Sequence, residues 1–218
     1  LYYYSNSGNL YWKKKFDEKI IGQIKQIDTY KNGRLQISFR TKNRFYVLDR
    51  NGNEVKELIF KIDSGEINNP VSIFDYEKNR NYRFVFTNDN TIKMFDSRGK
   101  IVRGFDPDVF DSSIINSPNH LRIDGKDFII VQLENNDLKI LDRRGRDRIK
   151  IDEKIQFSKN SIFSYLKTFA TTDNQGNLIQ IDMNGELLKK NLNLSIDNLI
   201  DIKNDNLVYI SENNLSIK

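Results

Sequence analysis

Short apolar runs, each closed by an Asp, two polar residues and a Gly, return along the chain at a nearly constant distance. They read FYVLDRNG at 45–52, IKMFDSRG at 92–99, LKILDRRG at 138–145 and LIQIDMNG at 178–185. A looser copy, LYYYSNSG at 1–8, carries Ser5 in place of the Asp. From Ser5 through Asp49, Asp96, Asp142 and Asp182 the steps are 44, 47, 46 and 40 residues. A period in that range marks a repeat architecture, in which each unit needs its neighbours to bury its faces.

Within each copy the residue before the Asp is apolar (Leu48, Phe95, Leu141, Ile181), and so is the one three places earlier (Phe45, Ile92, Leu138, Leu178). Side chains alternate along a strand, so these two positions face opposite ways and predict a strand buried on both faces. That suits a sheet packed between two other sheets better than a sandwich with one wet face. The Asp-x-x-Gly phrase predicts a tight hairpin: the Asp oxygens accept backbone N–H groups just ahead, and the Gly takes a positive φ. A second apolar run follows each turn: VKELIF after Gly52, IVRGF after Gly99, IKI after Gly145 and LL after Gly185.

Upstream lie further β-rich segments, RLQISFRT, YRFVFTN, FIIVQLE and SYLKTFATT, preceded by IKQID, VSIFD, HLRID and, in the last unit, NLIDI. Helical periodicity is absent, and each unit holds about four short strands. Four antiparallel strands in about 45 residues, repeated around an axis, describe a propeller blade. The expected fold is therefore an all-β propeller occupying 1–218 as one domain or a propeller fragment, with about five blades. The chain opens on the last hairpin of a blade and closes on the earlier strands of one, NLIDIKNDNLVYISENNLSIK, and these two pieces could complete a shared blade. The rival reading, favoured by their imperfect match, makes them part of a larger ring.

Composition adds limits. The chain has 218 residues, 38% hydrophobic and 30% charged, which is ordinary for a globular chain. Its net charge of +5 is mild, and the two signs are interspersed, so no nucleic-acid face is expected. There is no cysteine, which removes thiolate nucleophiles, disulfides and zinc–thiolate sites. No apolar stretch approaches the roughly 18 residues of a spanning helix, so no membrane span is expected in this segment.

The run from Gly8 to Trp12, Gly-Asn-Leu-Tyr-Trp, resembles the Gly-x-Leu-x-Trp ending of quinoprotein-type (PQQ-like) propeller repeats, and the apolar-Asp-x-x-Gly phrase of the other copies is similar. The resemblance covers nearly the whole chain and implies the propeller fold. The Trp position holds Lys56, Arg103, Ile149 and Lys189 in the other copies, a departure that argues against the enzyme version. Richness in Asn, Lys and Ile also resembles large propeller-bearing proteins of Bacteroidetes, and a periplasmic or cell-surface location is the favoured expectation.

Candidate chemistry is sparse. His120, the only histidine, precedes a predicted strand, where a capping or turn role is the ordinary reading. Asp75, Glu77, Asn79 and Asn81 alternate as calcium ligands do, and Asp28 to Gly33 keeps a loop glycine. Calcium needs six to eight oxygens, however, and each segment lacks part of the set, so both read as turns between the first two strands of a blade. Arg143, Arg144, Arg146, Arg148 and Lys150 suggest a phosphate patch, but they straddle a hairpin among Asp142, Asp147 and Asp152, so diverging side chains with local ion pairs are expected. Tyr2, Tyr3, Tyr4, Tyr11 and Trp12 could form a sugar or partner platform; inter-blade filling is the ordinary reading. No catalytic, cofactor-binding or metal residues are assigned. The expected function is a non-catalytic scaffold that binds a protein or glycan on a propeller face. The alternative is a quinoprotein-like oxidoreductase or a carbohydrate-active propeller enzyme.

Overall fold

The computed structural model describes residues 1–62, 69–211 and 214–217. Residues 212, 213 and 218, within the closing segment read above as strand, lie outside the described residues. The chain divides into two compact units, one of residues 1–105 and 109–117, the other of 106–108 and 118–218.

In the first unit, β1 (Tyr2–Tyr4) and β2 (Leu10–Lys13) form a two-stranded sheet. A four-stranded sheet follows in chain order: β3 (Ile21–Ile27), β4 (Gln36–Arg40), β5 (Arg44–Leu48) and β6 (Phe60–Lys61). The third sheet is β7 (Ser72–Phe74), β8 (Arg83–Asn88) and β9 (Thr91–Asp96). All pairings are antiparallel. The second unit holds two four-stranded antiparallel sheets, β10 (Asn119–Ile123) to β13 (Asp147–Ile149) through β11 (Lys126–Gln132) and β12 (Leu138–Leu141), and then β14 (Phe163–Tyr165) to β17 (Leu187–Asn191) through β15 (Thr168–Thr172) and β16 (Asn177–Ile181). The described residues end on β18 (Ile200–Lys203), β19 (Asn206–Ser211) and β20 (Asn214–Ile217). Among them the one helical element is a 3-10 turn, Lys56–Leu58.

The Asp-x-x-Gly phrases form the hairpin after the third strand of each sheet, as their chemistry requires. In each, one carboxylate oxygen accepts the backbone N–H groups two and four residues ahead: Asn51 and Asn53 on Asp49 (2.8 Å both), Arg98 and Lys100 on Asp96 (2.8 and 2.9 Å), Arg144 and Arg146 on Asp142 (2.7 and 3.1 Å), Asn184 and Glu186 on Asp182 (2.8 and 2.9 Å). Ser5 does the same for Asn9 through its hydroxyl, at 2.9 Å.

The pattern differs from expectation in three places. After Gly52 the run VKELIF is not one strand: Leu48 bridges Glu54, the chain makes its 3-10 turn, and only Phe60–Lys61 returns to the sheet. After Gly99, IVRGF supplies a single bridged residue, Ile101 opposite Phe95, and leaves the sheet three-stranded. The first strand of the fourth repeat is β14, inside the segment read as the second strand, while NLIDI begins the next sheet as β18. Hydrophobic runs locate burial but not the pairing partner, and that caused all three errors.

Each unit packs its apolar residues between consecutive sheets. In the first, Phe45, Val47, Phe84 and Phe86 share a core with Ile27, Leu58 and Val71. In the second, Phe128, Ile130 and Ile140 meet Phe169, Ile179 and Ile181, and Leu178 and Ala170 meet Leu207 and Tyr209. Of the residues predicted to be buried on opposite faces, Phe45, Leu48, Ile92, Leu138, Leu141, Leu178 and Ile181 are buried, and Phe95 is half-buried.

Candidate functional site

The acidic loops that resembled calcium ligands are turns closed on themselves. Asp28, 3% exposed, accepts the N–H groups of Asn32 (3.1 Å) and Gly33 (2.8 Å) and pairs with Arg80 at 2.9 Å. Asp75 accepts Asn79 (3.1 Å) and Arg80 (2.9 Å) in the same way. Burial alone would raise the Asp28 carboxyl, but the Gly33 and Asn32 hydrogen bonds and the Arg80 charge outweigh it and hold it low. Among the described residues no three His, Cys, Asp or Glu side chains gather as a metal site.

His120 lies inside β10, opposite Ile129, rather than capping it. Its Nε2 stands 2.8 Å from Asp127 Oδ1, where the imidazole N–H donates to the carboxylate. Arg122, the cross-strand partner of Asp127, approaches the same carboxylate at 3.2 Å, and Arg143 does so at 2.6 Å. Arg148 donates to the Asp127 carbonyl at 3.1 Å and lies 5.2 Å over the Phe128 ring. Of the basic run, Arg143 thus reaches the buried Asp127 carboxylate and Arg148 its backbone carbonyl, contrary to the expected divergence, while Lys150 pairs locally with Asp152 at 3.1 Å as expected. Burial would raise the Asp127 carboxyl, but the His120 hydrogen bond and the Arg143 and Arg122 charges overcome it and hold it below the usual carboxylate range. These hydrogen bonds and ion pairs fasten β10 and β11 to the hairpin that follows β12.

The amino-terminal aromatics divide between filling and surface. Tyr3 stacks on Trp12, with ring centroids 5.4 Å apart. Trp12 donates its indole N–H to the Arg50 carbonyl at 2.9 Å, and its ring lies against Gly52 so closely that a Cβ there would approach Cδ2 to 2.9 Å. Tyr2, Tyr4 and Tyr11 are exposed.

One structural signal was missed in the sequence. Asn69 and Asn160 are buried just before the first strands of their sheets. Each donates to a Thr in the second strand of its own sheet, Thr87 at 3.1 Å and Thr172 at 2.7 Å. Each also donates to a carbonyl ahead of the next repeat, Ile114 at 2.9 Å and Asn198 at 3.0 Å. An Asn recurring ahead of the VSIF and SIFS segments was visible at a repeat-like spacing.

Surface cavities in the two units differ in the charge of their walls. In the second unit, a cavity of about 320 Å³ has balanced walls, with Lys154 paired to Asp137 at 3.1 Å and Lys189 to Asp173 at 2.7 Å. In the first unit, an open groove of about 820 Å³ is lined by Arg83, Arg98, Lys100 and Arg103 around one acid, Asp96. A cavity of about 240 Å³ beside it has a floor of Ile62, Phe86 and Phe95, with Lys61 and Lys93 on its walls. Ile101, 64% exposed, borders both.

No family model matches the chain, and no curated protein matches it by sequence. Among solved structures it is similar to the computationally designed Ika8 protein, with TM-score 0.66 and 12% identity over 96% of this chain and 61% of Ika8. It is also similar to BBS1N, solved in complex with ARL6DN, with TM-score 0.61 and 12% identity over 99% of this chain and 70% of that one. The WD40 beta propeller domain of Doa1 matches with TM-score 0.54 and 15% identity over 85% of this chain and 60% of that one. At such identities the likeness concerns fold alone, and the fold is an all-β propeller. The chain spans about three fifths of the length of Ika8 and of the Doa1 domain. No helix among the described residues is long and apolar enough to cross a membrane.

Proposed function

We propose that this propeller is a non-catalytic scaffold whose task is to bind a protein partner. The observation that carries the reading is the disposition of its polar groups. The buried carboxylates Asp28 and Asp127 are saturated by internal donors, whereas the cations around Ile101 line open surface. Rigid sheets that present loops and grooves are suited to recognition, and the similar BBS1N is solved in complex with ARL6DN. The PQQ-like repeat reading is supported by the docking of Trp12 on the Gly52 turn. That reading concerns repeat type alone, and with it residues 1–218 form one propeller or a portion of one.

The test has two arms. Thermal unfolding with pyrroloquinoline quinone and calcium is expected to leave the melting temperature unchanged. A dose-dependent rise would transfer the protein to the enzyme class. Affinity capture from the source cell is expected to yield one stoichiometric protein that binds again when both are purified. Recovery of glycans alone would overturn the protein-partner reading.

A further inference from the structure

The groove and the cavity that meet at Ile101 arise from one local defect in the repeat. In the fourth repeat the last strand, Leu187–Asn191, pairs along β16 for five residues. In the second, the chain after Gly99 pairs through Ile101 alone, with Val102 N–H donating to the Met94 carbonyl at 2.9 Å, and then turns away at Gly104 (φ +83°). The short outer strand leaves Ile101 exposed where it borders the recess floored by Ile62, Phe86 and Phe95, so that the apolar surface there is continuous rather than a lone side chain.

Among the described residues the surrounding charge is one-sided. Arg98, Lys100 and Arg103 are all exposed, and among the described residues neither Lys100 nor Arg103 has an acidic partner. Among the described residues the one acid lining the groove is Asp96; one of its oxygens is occupied by the N–H groups of Arg98 and Lys100, and the other lies 3.9 Å from the Arg98 guanidinium. Arg83 is anchored on the Tyr82 carbonyl at 3.1 Å. In the adjoining cavity Phe95 stacks on Phe60 at 4.5 Å, and Phe86 meets both rings edge-on. Phe60 covers one face of Phe95, and Phe86 is itself buried, so the floor offers an apolar recess rather than a row of open rings on which successive bases could stack. Cations around an apolar recess complement an acidic chain that carries an apolar side chain, and a bare polyphosphate would leave the recess unused.

We propose that this cleft binds an extended segment of the partner protein in which an apolar residue is flanked by Asp or Glu. The apolar side chain enters the recess beside Ile101, over Phe86 and Phe95, and the flanking carboxylates meet Lys100, Arg103 and Arg98. The proposal rests on the protein-binding reading above and adds to it the place and the chemistry of the partner.

The probes are fluorescein-labelled peptides, Glu-Asp-Glu-Phe-Glu-Asp-Glu, the same peptide with Ser for Phe, and a labelled oligothymidylate, read by anisotropy at low and moderate salt. The Phe peptide is expected to bind at least about tenfold more tightly than the Ser peptide, and to weaken as salt rises. Ile101→Asp and Arg103→Glu, both at exposed positions, are each expected to weaken it about tenfold or more while the melting temperature stays unchanged. Equal binding of the Phe and Ser peptides, unaltered binding by both variants, no binding of the Phe peptide, or tighter binding of oligothymidylate would each overturn the proposal. The doubly substituted protein separates the two readings. If it still captures the natural partner, this cleft is wrong and the scaffold reading stands; if the wild type captures none, the scaffold reading itself falls.

Discussion

Gly99 and Gly104 share a positive φ, +71° and +83°, yet they do not carry the same constraint. A Cβ on Gly99 would run into the Glu57 carbonyl of the preceding repeat, whereas nothing lies within 4 Å of one on Gly104. Gly99→Ala is therefore expected to cost roughly 2–5 kcal/mol, from backbone strain plus overlap, and Gly104→Ala only about 1–2 kcal/mol from strain. Urea unfolding of both variants checks this, and equal midpoints would contradict it. The Asp-x-x-Gly phrase made the φ at Gly99 and Gly145 legible, but not the neighbours, Glu57 and Pro107, that press on them. Asp127 gives a prediction in pH. Its folded-state pKa is depressed, so the charged form stabilises the fold above the unfolded value near 3.9, and that contribution is lost as pH falls through the lower folded value. Asp127→Asn is expected to be less stable at neutral pH and to show a shallower loss of stability below about pH 4. Parallel acid limbs for wild type and variant would refute it. Nothing local in NHLRID pointed to this centre, because Asp127 lies beyond the next turn and Arg143 beyond the next strand.

At the scale of the element, the strands differ in how much of their pairing is locally written. The hairpins closed by Asp49, Asp96, Asp142 and Asp182 follow from residues within five positions of one another. A further turn of the same kind, Asp173 to Asn177, joins β15 and β16, with Asp173 accepting Gln175 and Asn177 N–H groups at 3.0 and 2.9 Å. It went unread because it falls between the second and third strands, outside the main period. Joining of repeats depends on side chains that cross from one sheet to the next, and Asn160 is the clearest of them. It donates to Thr172 and to the Asn198 carbonyl, and it accepts the Ile200 N–H at 3.0 Å, so it ties β15 to the start of β18. Asn160→Ala is expected to leave these buried partners unsatisfied and to cost roughly 2–4 kcal/mol. Hydrogen exchange should show the loss first at the amide of Ile200. Protection there equal to wild type would mean that the link carries no stability.

For the whole molecule, period and turn chemistry together were enough to reach the propeller class. A 3.6-residue pattern is missing throughout, and an apolar run buried on both faces demands sheets on either side. The candidate site was not legible in the same way. The cavity beside Ile101 is walled by Lys61 and Ile62 from one sheet and by Phe86, Lys93 and Phe95 from the next. These residues lie about thirty positions apart and share no motif, and its neighbouring groove exists because IVRGF fails to form the strand expected of it. The sequence alone determined what depends on contiguous residues: the hairpin turns, the strand that leads into each of them and the period of the repeat. Tertiary structure decided which charges meet. It buried Asp127 among His120, Arg122 and Arg143, and it left Lys100 and Arg103 around Ile101. The physical reason is that a turn's hydrogen bonds close within a few residues, whereas electrostatic and apolar complementarity form between surfaces that only packing brings together.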